Sequence, residues 1–135
     1  MADFELFFPL VIATEKLVIT DDPNDSGSYS VAGISSRDYP HDPAILKAKE
    51  LGLKAGQWDD CLLPLVKDFY YKHEWALYAG NEIINQEAVN TLGDRGTSIG
   101  VKQSIKMIQT QIGVPITGTM DRITINKINE LNPYT

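Results

Sequence analysis

The chain has 135 residues, 43% of them hydrophobic and 22% charged, with 12 Lys/Arg against 18 Asp/Glu and a formal net charge of −6. This is globular composition at about one domain's length, enough to bury a core without disulfides, and it excludes a disordered polymer. No Lys/Arg cluster is present, so no nucleic-acid partner is expected. Cys61 is the only cysteine and there are two histidines, which excludes an internal disulfide and a Cys/His zinc site; no metal and no cofactor are expected. The longest apolar run, Leu6 to Ala13, contains Pro9 and falls far short of the roughly 20 residues of a membrane span. Asp3 and Glu5 stand where a secretory signal carries positive charge, so no such signal is expected.

Residues 4–16 read as a helix. Asp3 is its cap, and Phe4, Phe7, Phe8, Val11 and Ile12 recur at helical spacing. Pro9 lies past the first turn and predicts a kink or a restart. Residues 17–40 change character. Asp21 to Ser28 is turn chemistry, and Tyr29 to Ile34 is short and β-permissive. A small hairpin or three short strands are expected there, with Gly27 and Gly33 supplying unusual backbone angles.

From Asp42 onward the pattern is helical. Asp42-Pro43 caps and opens a short helix that Gly52 stops. Asp59 or Asp60 caps a helix reaching about Trp75, with Leu62, Leu63, Val66, Phe69 and Tyr70 on its buried side. Further helices are expected at about 81–92, from about Thr97 to Ile112, and at about 120–131. No alternation of strands and helices, no low-complexity segment and no internal repeat is visible.

Several motifs fail on inspection. Asp22 to Gly27 fits the opening of a calcium loop, but position 12 is Gly33 and not the required Glu. Gly96 to Ser104 lacks the Gly-Lys-Ser order of a phosphate loop. His41 and His73 have no partner at ligand spacing.

What remains is Glu15, then Asp22 and Asp25, then Ser30. A glycosidase needs one carboxyl kept protonated for the leaving oxygen and a second polar group on the sugar's other face. A Glu at the end of an apolar helix has its anion disfavoured by burial and by the helix's negative end. An Asp in a wet loop stays ionised. The two environments push the two carboxyl groups apart, which is the acid/base pattern.

Spacing sharpens this. Asp25 lies ten residues after Glu15 and Ser30 fifteen after it, with Gly27-Ser-Tyr29-Ser30-Val-Ala-Gly33-Ile34 closing the run. The segment resembles the active site of phage-type lysozymes. It is more closely similar to glycoside hydrolase family 108, the N-acetylmuramidases also called secretion activating proteins. Those carry Glu-Gly-Gly, then Asp-Pro-x-Asp-Pro-Gly-Gly-x-Thr-x-x-Gly-Ile. This chain reads Glu15-Lys16-Leu17, then Asp22-Pro23-Asn-Asp25-Ser-Gly27-Ser-Tyr29-Ser30-Val-Ala-Gly33-Ile34. Ala88-Val89-Asn90 matches the family's Ala-Val-Asn, and Tyr70 to Trp75 resembles its Tyr-Arg-x-x-Tyr-Trp. The tail, with Ile108-Gln109, Gly113-Val114-Pro115, Gly118 and Thr124, is similar to a peptidoglycan-binding-like element.

The resemblance implies a mainly α, lysozyme-like fold, α+β with a small β element at about 17–40. It implies one domain over 1–135, a muramidase-like part at 1–96 with peptidoglycan-binding-like helices at 97–135 packed on it. It implies cleavage of the peptidoglycan glycan strand after N-acetylmuramic acid, with inversion at the anomeric carbon. Glu15 would be the general acid, with Asp25 and Ser30 on the water, and Asp22, Tyr29, Tyr70, Tyr71, Trp75 and Asn90 binding the glycan. The protein would be made in the cytoplasm and act at the wall or periplasm if exported. The departures, Lys16 and Leu17 for two glycines above all, leave open an alternative: a catalytically impaired, peptidoglycan-binding or secretion-associated protein of the same fold.

Overall fold

Asp3 opens the first helix as its composition suggests. The Glu5 amide donates to Asp3 Oδ1 at 2.9 Å, and the helix, α1, runs Phe4–Glu15. The computed structural model describes residues 1–22, 24 and 29–132. Pro9 sits inside α1 without ending it. What ends it is Lys16, which takes a left-handed conformation (φ 66°) while its amide donates to the Ile12 carbonyl at 2.7 Å. Position 16 is thus the helix's left-handed stop, where glycine is usual.

Three short strands follow: β1 (Ile19–Asp21), β2 (Tyr29–Val31) and β3 (Ile34–Ser35). They pair antiparallel in the order β1-β2-β3, with Ile19 opposite Val31, Thr20 opposite Ser30, Asp21 opposite Tyr29, and Val31 opposite Ile34. Two residues, Ala32 and Gly33, join β2 to β3, and both have positive φ (47° and 85°). That is the backbone of a type I′ hairpin turn, the one whose twist suits flanking strands. Ala32 pays a steric cost there, and it is held on both sides. Its amide donates to the Val18 carbonyl at 3.0 Å, and its carbonyl accepts from the Tyr70 hydroxyl at 2.6 Å.

Helix α2 (Pro43–Glu50) starts at the Asp42 cap, whose side chain accepts from the Ala44 amide. Asp59 accepts from the Cys61 amide and opens a short 3-10 turn, Asp60–Leu62, that runs into α3 (Leu63–Tyr70). The next turn, Tyr71–Trp75, is π-helical.

Helix α4 covers Gln86–Ile99 and not 81–92. Gly80–Glu82 forms a separate 3-10 turn, and Asn85 is the cap, accepting from the Ala88 amide. The expected helix from Thr97 is divided as well. Thr97 to Ile99 finish α4, and α5 begins at Val101 after Gly100 turns the chain with φ 87°. Spacing of apolar residues carries across such a break, so periodicity alone does not reveal it. Helix α5 ends at Ile112, and α6 (Arg122–Leu131) starts at the Asp121 cap.

The chain divides into two compact units, Ile12–Tyr70 and Met1–Val11 with Tyr71–Thr135. The core of the first gathers Ile19, Val31, Ile34, Ile45, Leu62 and Val66, all at most 1% exposed. The core of the second gathers Phe7, Trp75, Tyr78, Ile83, Leu92 and Ile128. In it α4 lies along α5, tied where the buried Ser104 hydroxyl donates to the Leu92 carbonyl at 2.6 Å. Among the described residues no helix is long and apolar enough to cross a membrane.

Candidate functional site

Glu15 is the last residue of α1, and its carboxyl turns toward the β2–β3 turn. The contact is close. A Cβ added at Gly33 would lie 2.6 Å from the Glu15 Cδ and 2.7 Å from the Tyr70 hydroxyl. Glycine at 33 therefore serves two needs, the positive φ of the turn and the space the carboxyl fills. Desolvation by this half-buried setting raises the Glu15 pKa above its ordinary 4.5. The carbonyl end of α1 acts in the same direction. Among the described residues no cation pairs with the carboxyl. The result is a carboxylic acid biased to keep its proton, packed against the Ala32–Gly33 turn.

The chain is similar in fold to Brucella abortus SagA. The TM-score is 0.63 at 20% sequence identity, over 94% of this chain and 68% of that one. No protein-family model and no curated protein matches the sequence. At that identity the likeness concerns architecture: a mainly helical, lysozyme-like α+β fold with one small antiparallel sheet, as the sequence implied.

The other sequence-derived candidates are distributed as follows. Ser30 is on β2, half-buried, and its hydroxyl shares a 2.7 Å hydrogen bond with Thr20 across the sheet. Asp22 is exposed and accepts from the Asn24 amide at 2.9 Å. Asp25 lies outside the described residues. Tyr29 is half-buried: its hydroxyl donates to the Leu53 carbonyl at 3.1 Å, and the Lys49 ammonium stands 5.4 Å from its ring centre. Burial and the Asp21 charge push its phenol upward.

Two aromatic assignments are corrected. Tyr70 and Trp75 are only 3% and 0% exposed, so neither offers a ring face to a sugar. Tyr70 instead braces the Ala32–Gly33 turn beside the acid, a supporting role that its apolar helical spacing concealed. Trp75 packs among Phe4 and Phe7. Tyr70 is core by the same hydrophobic period that marks α3, whereas Trp75 reaches the core through the π-helical turn that follows it. Tyr71 is different: it is 40% exposed.

Asn90 is on α4, beside a small pocket lined by Leu10, Asp94 and Thr97. Its Oδ1 accepts from Gln86 Nε2 at 2.9 Å. Gln86 also grips the chain start, accepting from the Asp3 amide at 2.7 Å and donating to the Asp3 carbonyl at 3.2 Å. With its oxygen used in this way, Asn90 keeps its amide nitrogen as a donor. Gln86 thus has a role the sequence alone did not suggest.

Proposed function

We propose that this chain hydrolyses the glycan strand of peptidoglycan after N-acetylmuramic acid, as a muramidase of the family 108 kind. The observation that carries this reading is the Glu15 carboxyl, half-buried against Gly33 with its pKa raised and, among the described residues, no cation paired with it. An acid of this kind protonates a glycosidic oxygen, a contribution of about 10²–10⁴ in rate. Asp25, with Ser30, holds the attacking water, and Asp22 is the less favoured choice. A water-bearing partner gives inversion, whereas an attacking carboxylate gives retention. Tyr29, in the unit that holds the acid, contacts the strand there, and Tyr71 and Asn90 are glycan contacts on the other unit. The similarity to Brucella abortus SagA supports the reading at the level of fold. The wall, reached by export, is the proposed place of action.

Lys16 bears on this directly. It keeps the left-handed backbone that a glycine adopts freely, so the turn beneath the acid is retained although the residue has changed. The added Lys16 and Leu17 side chains favour a second reading, a wall-binding relative in which the sugar is kept from the acid.

Mass analysis of digested peptidoglycan decides between them. New reducing ends at N-acetylmuramic acid, lost in Glu15→Gln, support the hydrolase, and anomeric NMR reads inversion. Ser30→Ala should slow cleavage less than Asp25→Ala. An intact wall that retains the parent protein supports the binder.

A further inference from the structure

Three irregular pieces of backbone meet at Tyr71. It opens the π-helical turn Tyr71–Trp75, a rare form often found at functional positions. Ala79 is left-handed (φ 55°), a strained state for a residue with a Cβ. Gly80 then lies flat on the Trp75 indole, where a Cβ would stand 2.6 Å from Cζ2. Together they deliver Asn81 between two aromatic side chains.

The hydrogen bonds there have a fixed direction. An indole N–H only donates. Trp75 Nε1 donates to Asn81 Oδ1 at 2.9 Å, so the Asn81 amide nitrogen faces away and donates to the Tyr71 oxygen at 2.7 Å. Tyr71 has therefore spent an oxygen lone pair inward, and its own O–H has no acceptor among the described residues. The ring is also held edge-on against Phe4, with centroids 5.2 Å apart. Tyr71 is thus an aromatic held in one orientation by Asn81 and Phe4, 40% exposed, with its donor open to a partner from outside.

We propose that Tyr71 is a glycan-binding residue: its ring packs on an N-acetylhexosamine and its hydroxyl donates to the acetamido carbonyl, with Asn81 as the positioning residue that points the proton outward. This rests on the glycan reading above and adds to it the group recognised. A carbohydrate ring matches an aromatic face, and an amide carbonyl is the strongest neutral acceptor such a sugar carries.

The test uses the full chain in the Glu15→Gln background, so that the probe is not cut. A β-1,4-linked N-acetylglucosamine tetramer is titrated against the β-1,4-linked glucose tetramer, which has a hydroxyl in place of each acetamido group. The parent should prefer the acetylated tetramer. Tyr71→Phe should weaken that binding about fivefold, the worth of one net hydrogen bond, and leave the glucose tetramer unchanged. Asn81→Asp is the sharper variant. The carboxylate still accepts from Trp75, but it now accepts from Tyr71 too and turns the phenol proton inward. It should abolish the acetyl preference as Tyr71→Phe does, with an unchanged melting temperature, which a merely structural Asn81 would not do. Persistence of the preference in either variant, or a parent with no affinity for the acetylated tetramer, overturns the proposal. Wall cleavage by the chain with Glu15 intact reads the hydrolase assignment separately, so the two fail distinguishably.

Discussion

The Glu15 carboxyl occupies the space in which a side chain at Gly33 would stand. One residue ends a helix and the other turns a hairpin, and neither conformation is independent of the other. Gly33 has φ 85°, a region that costs other residues about 1–2 kcal/mol. Gly33→Ala should therefore destabilise the protein by at least that amount and displace the acid, with loss of wall cleavage. Combining it with Glu15→Ala relieves the overlap. The double variant should be less destabilised than the sum of the singles, measured by urea unfolding.

The pH dependence follows from the direction of the Glu15 shift. Its folded pKa lies above 4.5, so the fold prefers the protonated acid. That contribution is complete below the unfolded value and is lost as pH rises through the folded one. Glu15→Gln should be more stable than the parent near neutral pH and equal to it well below 4.5, in denaturant titrations at the two pH values. Cleavage by the parent should decline as pH rises through the same raised value, because only the protonated form donates.

Lys16 carries backbone strain at φ 66°. Lys16→Gly removes a left-handed penalty of about 1–2 kcal/mol and adds roughly 0.5–1 kcal/mol of glycine's unfolded-state entropy. A net gain of about 0.5–1 kcal/mol is expected, read as a rise in melting temperature. If the side chains at 16 and 17 crowd the sugar, Lys16→Gly/Leu17→Gly also raises the cleavage rate, and this distinguishes the hydrolase from the wall binder.

Gln109 is fully buried, and its amide organises the turn before α6. Its Oε1 accepts from the Thr117 and Gly118 amides, both at 3.0 Å. Its Nε2 donates to the Thr119 carbonyl at 2.9 Å and to the Thr117 and Thr124 hydroxyls, both at 3.0 Å. Gln109→Leu keeps the volume and orphans these partners. A loss of about 2–4 kcal/mol is expected from unsatisfied buried groups, measured by chemical denaturation.

Local chemistry in the sequence determined much of this protein. Asp3, Asp42, Asp59 and Asp121 all cap where side-chain oxygens follow turn residues, because capping depends only on neighbours two or three positions away. The small sheet at 17–40 was legible in its turn residues, and Glu15 at the end of an apolar helix already implied a carboxyl reluctant to ionise. Tertiary structure decided the rest. Whether Tyr70, Tyr71 and Trp75 face a ligand or the core depends on what packs over each ring, and the three stand within six residues with exposures of 3%, 40% and 0%. The helix break at Gly100 was hidden because apolar spacing continues on both sides of it. That Gly33 leaves room for the Glu15 carboxyl is a relation across eighteen residues of chain, set by where a two-residue turn meets a helix end. Periodicity records which face of an element is apolar; it carries no record of which atom meets it from elsewhere in the fold.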